Sequence, residues 1–403
     1  MSDIARLSDD ALQRLRRYRH DRLRHCMVQQ DVPALLMYDP VNIRYATDAR
    51  NMQVYSLNHD ARYVLLAAGG HTVLFDWFQG EVYFGGLPID EVRIGQSYGY
   101  VANGNADTEA SLAAWAAEIA DWLRIHSPDD LRLGIDRLSP FAAQALAREG
   151  LTVIDGQQAI YQARTIKSTD EIAAMRIAVA ACDEGFKRMR SHTQPGLTEV
   201  ALWSHLHQAN IEWEGEWINA RLMTSGTRTN PWSQETSLRV VQPGDIVACD
   251  SDLIGPYGYG ADISRTWLAS GSPTDRQRRL YAQSYEHLQK NISLFQPGAS
   301  FLDIAHTNYR LPVDFQEQMF TSFAHGMGLE NEWPIIKSVH KMDMHGGYGG
   351  GYDGELKPGM TICVESYIGE VGGPDGVKLE EQILITSSGP VPLSNTPFEE
   401  EWL

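Results

Sequence analysis

The sequence predicts a mixed α/β (α+β) protein of two domains, residues 1–162 and 163–403, and three observations predict it. First, 403 residues exceed what one ordinary core organises, and 43% apolar with 21% charged residues is a globular composition. Second, residues 1–160 interleave short apolar runs with stretches of helical period and hold no cluster of reactive side chains. Third, the remainder opens on two helices and then alternates strands with glycine-rich turns.

Composition also excludes function classes. A net charge of −18 favours solubility and argues against nucleic acid or an anionic membrane surface as partner. No run of 18 apolar residues reads as a bilayer span, and the first residues lack the apolar core of a signal peptide. Cys26, Cys182, Cys249 and Cys363 are scattered, which reads as reduced, buried thiols of a cytoplasmic protein.

Taken in order, residues 8–30 form an arginine-rich helix with Leu12, Leu15 and Leu23 as its apolar positions. A strand follows at residues 34–37, then a turn at Asp39-Pro40. Apolar runs at 63–66 and 73–75 around Gly69-Gly70 signal a hairpin. Leu112, Trp115, Ile119 and Trp122 share one helical face, and another strand and helix start near 133 and 139. The hinge is expected between Gln162 and Lys167. Ser168 and Glu171 form a capping box opening a long helix whose apolar face runs through Ile172, Met175, Val179 and Cys182. Pro195-Gly196 stops it, and a second helix carries Val200, Leu202, His205 and Ile211.

The chemistry gathers downstream. A turn at Pro243-Gly244-Asp245 launches a strand, Ile246 to Cys249, that runs into Asp250 and Asp252. Two apart on a strand, both carboxylates point to one face. Gly255 to Gly258 reads as a reversal returning Asp262 alongside them. Three carboxylates inside an apolar hairpin repel each other unless a multivalent cation compensates them. An acidic surface hairpin is the bland alternative, and the apolar flanks weigh against it. Three further candidates follow: His325 in a glycine-rich segment, Glu365 on a strand after Pro358-Gly359, and Glu380 in another β-run. Hard oxygen donors with one imidazole suit Mn, Fe, Co or Zn, and two acidic bridges fit a site of two ions.

The order Asp…Asp262-Ile-Ser-Arg-Thr, then His325-Gly-x-Gly, then Glu365 and Glu380 on strands, resembles the pita-bread metalloenzymes, which include methionine aminopeptidase, prolidase and creatinase. The resemblance covers residues 165–395, and residues 1–160 resemble the N-terminal domain of the creatinase/prolidase branch. It implies a pita-bread catalytic domain behind a creatinase-like N-terminal one. It implies Asp250 and/or Asp252, Asp262, His325, Glu365 and Glu380 as ligands of a divalent transition metal, with Arg265 and Thr266 supporting them. It also implies a homodimer in which the N-terminal domain closes the partner's site.

Two histidines of the peptidases are missing: Trp232 stands where one is expected, and Asn331, in Asn331-Glu332-Trp333-Pro334, replaces the other. Neither side chain titrates near neutral pH, which disfavours ordinary peptidase chemistry. Within the family the chain resembles the DddP-type dimethylsulfoniopropionate lyases. It shares paired acids with Asp252 ten residues before Asp262, a fifteen-residue gap from Glu365 to Glu380, and similar stretches at residues 39–45 and 51–53. That likeness implies iron, two ions, and a small zwitterionic substrate split into dimethyl sulfide and acrylate. Trp232, Trp333 and Tyr259 are the aromatic candidates for holding the sulfonium. A catalytic Asp is expected where Asn331 stands, and Glu330 and Glu332 flank it as substitutes. The Gly/Tyr-rich loop 344–352 is expected to be a lid. The alternative is a C–N hydrolase on a small amidino, cyclic-amidine or dipeptide substrate. A non-catalytic scaffold would have no need of all six donors.

Overall fold

The computed structural model describes residues 5–50, 52–77, 84–344 and 352–403, so the lid expected over 344–352 lies almost wholly outside the described residues. The chain divides into two compact units, Ser8–Arg164 and Thr165–Leu403, and residues 5–7 group with the second. There the Leu7 N–H donates to the Tyr257 hydroxyl at 2.9 Å.

The N-terminal unit is built on one sheet. Its strands are β1 (Ala34–Met37), β2 (Tyr63–Ala67), β3 (Thr72–Asp76), β4 (Glu91–Ile94), β5 (Arg132–Ile135) and β6 (Thr152–Asp155). They lie in the order β4-β3-β2-β1-β5-β6. The apolar runs on either side of Gly69-Gly70 pair as the antiparallel hairpin β2–β3, and Gly70 takes φ +109°, which a side chain resists. Helix α1 (Asp9–Gln29) buries Leu15 and Leu23, while Leu12 is half-buried. Helices α2 (Pro40–Thr47) and α3 (Gln53–Ser56) follow. Helix α4 (Tyr100–His126) buries Leu112, Trp115, Ile119 and Trp122 against the sheet, the face that its period predicts. Helices α5 (Pro140–Arg148) and α6 (Gln157–Thr165) complete the unit.

The C-terminal unit opens on α7 (Thr169–His192), whose capping box forms as Ser168 and Glu171 predict, and α8 (Glu199–Glu212). After β7 (Trp217–Ile218) come β8 (Met223–Ser225), β9 (Ile246–Asp250), β10 (Leu253–Ile254), β11 (Gly260–Ala261) and β12 (Ser264–Leu268). Helix α9 (Asp275–Ile292) and two short helices, α10 (Phe301–Thr307) and α11 (Val313–Gln316), precede β13 (Ser322–Met327) and β14 (Asn331–Lys337). Strands β15 (Thr361–Gly369), β16 (Gly376–Thr386) and β17 (Gly389–Pro392) close the chain. The main sheet runs β14-β13-β15-β16-β12-β9-β8, with β17 added along β16. On β15, Ile362, Val364 and Ile368 join Leu280, Tyr281 and Leu288 of α9 in one apolar core. The alternate residues Cys363, Glu365 and Tyr367 therefore face the other way.

One local expectation is corrected. Asp252 does not continue the strand, because β9 ends at Asp250 and Asp252 sits in a turn at φ +41°. A left-handed backbone, not strand alternation, brings this carboxylate round to the others.

Candidate metal centre

Strand register assembles the site. Asp250 on β9 lies opposite Ser264 on β12, Ser264 opposite Glu380 on β16, and Glu380 opposite Glu365 on β15. One row across four strands thus carries three carboxylates and a hydroxyl. Lys378 and Gln382, two before and two after Glu380, share its face. On β13, His325 lies opposite Cys363. Asp262, just ahead of β12, is held by its own N–H, which donates to Gln382 Oε1 at 3.1 Å. The Asp252 N–H in turn donates to Asp262 Oδ1 at 3.2 Å.

The imidazole is presented for coordination. His325 Nδ1 lies 3.1 Å from the Gly326 carbonyl, which fixes the proton on Nδ1 and leaves Nε2 as an acceptor. Nε2 stands 3.6 Å from Glu380 Oε1, 3.7 Å from Asp262 Oδ2 and 3.9 Å from Glu365 Oε1. Two donors on one ion at about 2.1 Å each stand at most about 4.2 Å apart, so each of these oxygens is near enough to share an ion with Nε2, and Asp262, His325 and Glu380 lie close enough together to hold one in common. Glu380 Oε1 is buried with no hydrogen-bond partner among the described residues, an acceptor that a cation would satisfy.

Opposite His325, the Lys378 ammonium enters the row. It lies 2.6 Å from Glu380 Oε2, 3.1 Å from Glu365 Oε2, 3.2 Å from Asp250 Oδ2 and 2.9 Å from Ser264 Oγ. Ser264 Oγ is also 2.8 Å from both Asp250 Oδ1 and Glu380 Oε2. Behind the row, Arg265 donates to the Glu380 carbonyl at 2.6 Å and to Glu381 Oε2 at 2.7 Å. The Thr266 hydroxyl donates to the Lys378 carbonyl at 2.9 Å. These two side chains fix β16 on either side of Glu380.

Crowding shows in the titration of the group. Burial holds Asp250 and Asp262 well above the usual carboxylate range, and lifts Glu365 against the pull of Lys378. Burial and then the Glu380 charge push Asp252 up to about 6. Burial alone would lower His325, but the Glu380 and Glu365 carboxylates close to it push it up to about 9. Glu380 alone goes down, because Lys378 and His325 outweigh its burial. Such a set holds protons until a multivalent cation displaces them. Cys363 Sγ sits in the same group with Asp262, His325 and Glu380, where its thiol donates to the Asp262 carbonyl at 3.5 Å and burial pushes its pKa up.

The donors, their order along the chain and the sheet that gathers them can be set against known proteins. Residues 173–387 match Metallopeptidase family M24, and residues 19–166 match the creatinase/prolidase N-terminal domain. The chain belongs to family M24. Two M24 relatives are similar over nearly the whole chain. The dimethylsulfoniopropionate lyase DddP of Roseobacter denitrificans is 37% identical, covering 98% of this chain and 89% of that protein. The enzyme of the same name from Roseovarius nubinhibens is 35% identical, covering 96% and 87%. Among solved structures, a dipeptidase from Pyrococcus horikoshii superposes with a TM-score of 0.74 at 20% identity, covering 94% of this chain and 99% of its own, which speaks for the M24 fold.

The structure brings Asp250, Asp252, Asp262, His325, Glu365 and Glu380 of this M24 chain into one cluster. The other candidates divide. Trp232 packs with Ala248 and with Tyr367, whose ring centroid is 6.1 Å away, and Phe320 stacks on Tyr367 at 5.8 Å. Ala248 is two before Asp250 and Tyr367 two after Glu365, so this aromatic group borders the carboxylate row. Trp333 stacks on Tyr352 and meets Phe301 edge-on. Tyr259 is a correction: it is buried with its hydroxyl donating to Glu171 Oε1 at 2.9 Å, a tie to α7 and not a pocket wall. Glu332 is another, because β14 turns it inward to a buried ion pair with Lys167. Asn331 is exposed on the same strand, and Glu330 is half-buried in the preceding turn. Sequence reasoning missed Lys378, Ser264 and Gln382. The signal was available in Lys378, a charge two positions from a ligand in an otherwise apolar β-run.

Proposed function

We propose that this chain is a metal-dependent carbon–sulfur lyase that splits dimethylsulfoniopropionate, or a close zwitterionic analogue, into dimethyl sulfide and acrylate. The observation that carries the reading is identity of 37% and 35% to two lyases of that name across both domains. A divalent transition metal, iron first with Mn, Zn or Co as substitutes, would supply a Lewis-acid anchor for the substrate's carboxylate. Asp252, Asp262, His325, Glu365 and Glu380 are the residues to hold it.

The chain's own groups do the rest. Trp232, Tyr367 and Phe320 offer π-faces beside the carboxylate row, the surroundings that a sulfonium takes as a quaternary ammonium does. A base must remove a proton next to the carboxylate as the C–S bond breaks. Glu332 is committed to Lys167 and Asn331 carries no charge at any working pH, so neither is suited to that role. Membership of M24 favours a second reading on the catalytic half alone, hydrolysis of a C–N bond in a small amidine or dipeptide.

Metal-loaded protein given dimethylsulfoniopropionate beside a panel of Xaa-Pro dipeptides and cyclic amidines separates the two. Headspace chromatography is expected to find dimethyl sulfide from the first substrate only, lost in Asp262→Ala. Amine or amino acid from the panel, with no volatile sulfide, would replace the lyase with the hydrolase.

A further inference from the structure

Lys378 touches a carboxylate of both cation groups that the cluster offers. Asp262, His325, Cys363 and Glu380 form one group, and Asp250, Asp252 and Asp262 form the other. Lys378 Nζ lies 2.6 Å from Glu380 Oε2 in the first and 3.2 Å from Asp250 Oδ2 in the second. It is also 3.1 Å from Glu365 Oε2. Both glutamates turn their other oxygen to His325, with Oε1 3.6 Å from Nε2 for Glu380 and 3.9 Å for Glu365. Each carboxylate can therefore be shared between an ion and the ammonium. The ammonium is fixed in place. Lys378 has no exposed surface, its Nζ lies 5.5 Å from the Phe320 ring centroid, and its backbone is pinned through both N–H and C=O to the Thr266 hydroxyl.

An ion in either group thus shares a carboxylate with a buried positive charge. The repulsion between the two grows in proportion to the ion's own charge, and buried surroundings screen it poorly. A trivalent ion therefore suffers half as much again as a divalent one. Five carboxylates around one imidazole would by themselves favour the ion of highest charge, and the ammonium cancels one unit of that pull. We propose that Lys378 sets the valence at which this centre holds its metal. Acting through the carboxylates it shares with the ion, the ammonium biases the site toward divalent over trivalent ions, and toward Fe2+ over Fe3+ where iron is bound. One such charge within a few ångströms of an ion changes the preference by about tenfold or more. Neither carbon–sulfur elimination nor hydrolysis moves an electron to or from its metal, so a fixed valence serves either reaction.

This rests on the metal centre and not on the identity of the substrate, so no turnover is measured. Full-length protein is stripped with chelator and titrated with Mn2+ and Tb3+ in competition, with terbium luminescence reporting the trivalent ion. A second sample is loaded with iron, and its Fe3+/Fe2+ potential is read by mediated titration, one electron per ion passing to or from the electrode. Lys378→Met, of similar volume and without charge, is expected to shift the ratio of affinities toward Tb3+ by about tenfold or more. It is expected to lower the iron potential by about 59 mV or more, the equivalent of tenfold for one electron. Lys378→Arg keeps the charge and is expected to stay near wild type in both. A folded Lys378→Met with the wild-type ratio and potential would overturn the proposal, as would a folded Lys378→Arg that behaves like Lys378→Met. If Lys378→Met does not fold, Lys378→Gln, which keeps a hydrogen-bond donor, is read in the same way. If neither folds, the wild-type affinities decide, and tighter binding of Tb3+ than of Mn2+ would overturn it. No ion of either charge in wild type would overturn the metal centre and the proposal with it.

Discussion

At the scale of single residues, the question is what each buried charge is for. Glu332 looked like a substitute base next to Asn331, yet it is paired with Lys167, and their side chains are 1% and 2% exposed. Removing one partner of a buried pair leaves the other charge without compensation, which costs about 3–5 kcal/mol. Glu332→Ala is therefore expected to lose stability on that scale in urea unfolding while the metal ligands stay in place. A variant of native stability with abolished turnover would return Glu332 to the role of base. The sequence could not show this pairing, because the partners are 165 residues apart. The ligands were legible for the opposite reason. Each is an acid or a histidine inside an apolar or glycine-rich run, where an unexplained charge calls for a cation. Lys378 carried the same signal, but a lysine is so commonly solvated that the strand's alternation has to be followed through Glu380 to see that it must face inward.

At the scale of elements, the helix α9 packs on β15, on the side away from the ligands, and carries a buried histidine. His287 Nδ1 is 2.9 Å from Ser366 Oγ, and Asn291 Nδ2 is 3.1 Å from its Nε2. Ser366 directly follows Glu365, so this junction backs the ligand strand. Burial pushes His287 down from 6.5 to about 4. The unfolded chain therefore binds a proton between those pH values when the folded one does not. Stability from this group is complete above pH 6.5, falls as the pH drops toward 4, and levels off below, a change of roughly 3 kcal/mol in all. Thermal melts of wild type across that window are expected to show the slope, and His287→Gln to lack its share. Equal slopes in the two proteins would assign the acid sensitivity elsewhere. Helix and hairpin positions were legible from capping residues, apolar period and Gly69-Gly70. The turn at Asp252 was not, since an aspartate at positive φ is dictated by the contact with Asp262 and leaves no mark in local pattern.

At the scale of the molecule, a creatinase/prolidase-type N-terminal domain and an M24 domain are joined in one chain, and similarity to the two lyases runs through both. Among the described residues no helix is long and apolar enough to cross a membrane. The resemblance to the creatinase/prolidase branch implies a dimer, and light scattering after gel filtration is expected to give twice the 45.1 kDa chain mass. A monomer at working concentration with full turnover would show that no partner is needed to complete the site. The most direct test of the whole account follows metal and product on one sample. Purified protein is assayed for dimethyl sulfide release from dimethylsulfoniopropionate as isolated, after chelation, and after reloading with Fe2+, with bound metal counted at each stage. Release that vanishes with the metal and returns with it is the expected result. Protein that carries its metal on these ligands and releases no dimethyl sulfide at any stage would contradict the lyase. Release that is indifferent to chelation would contradict the centre.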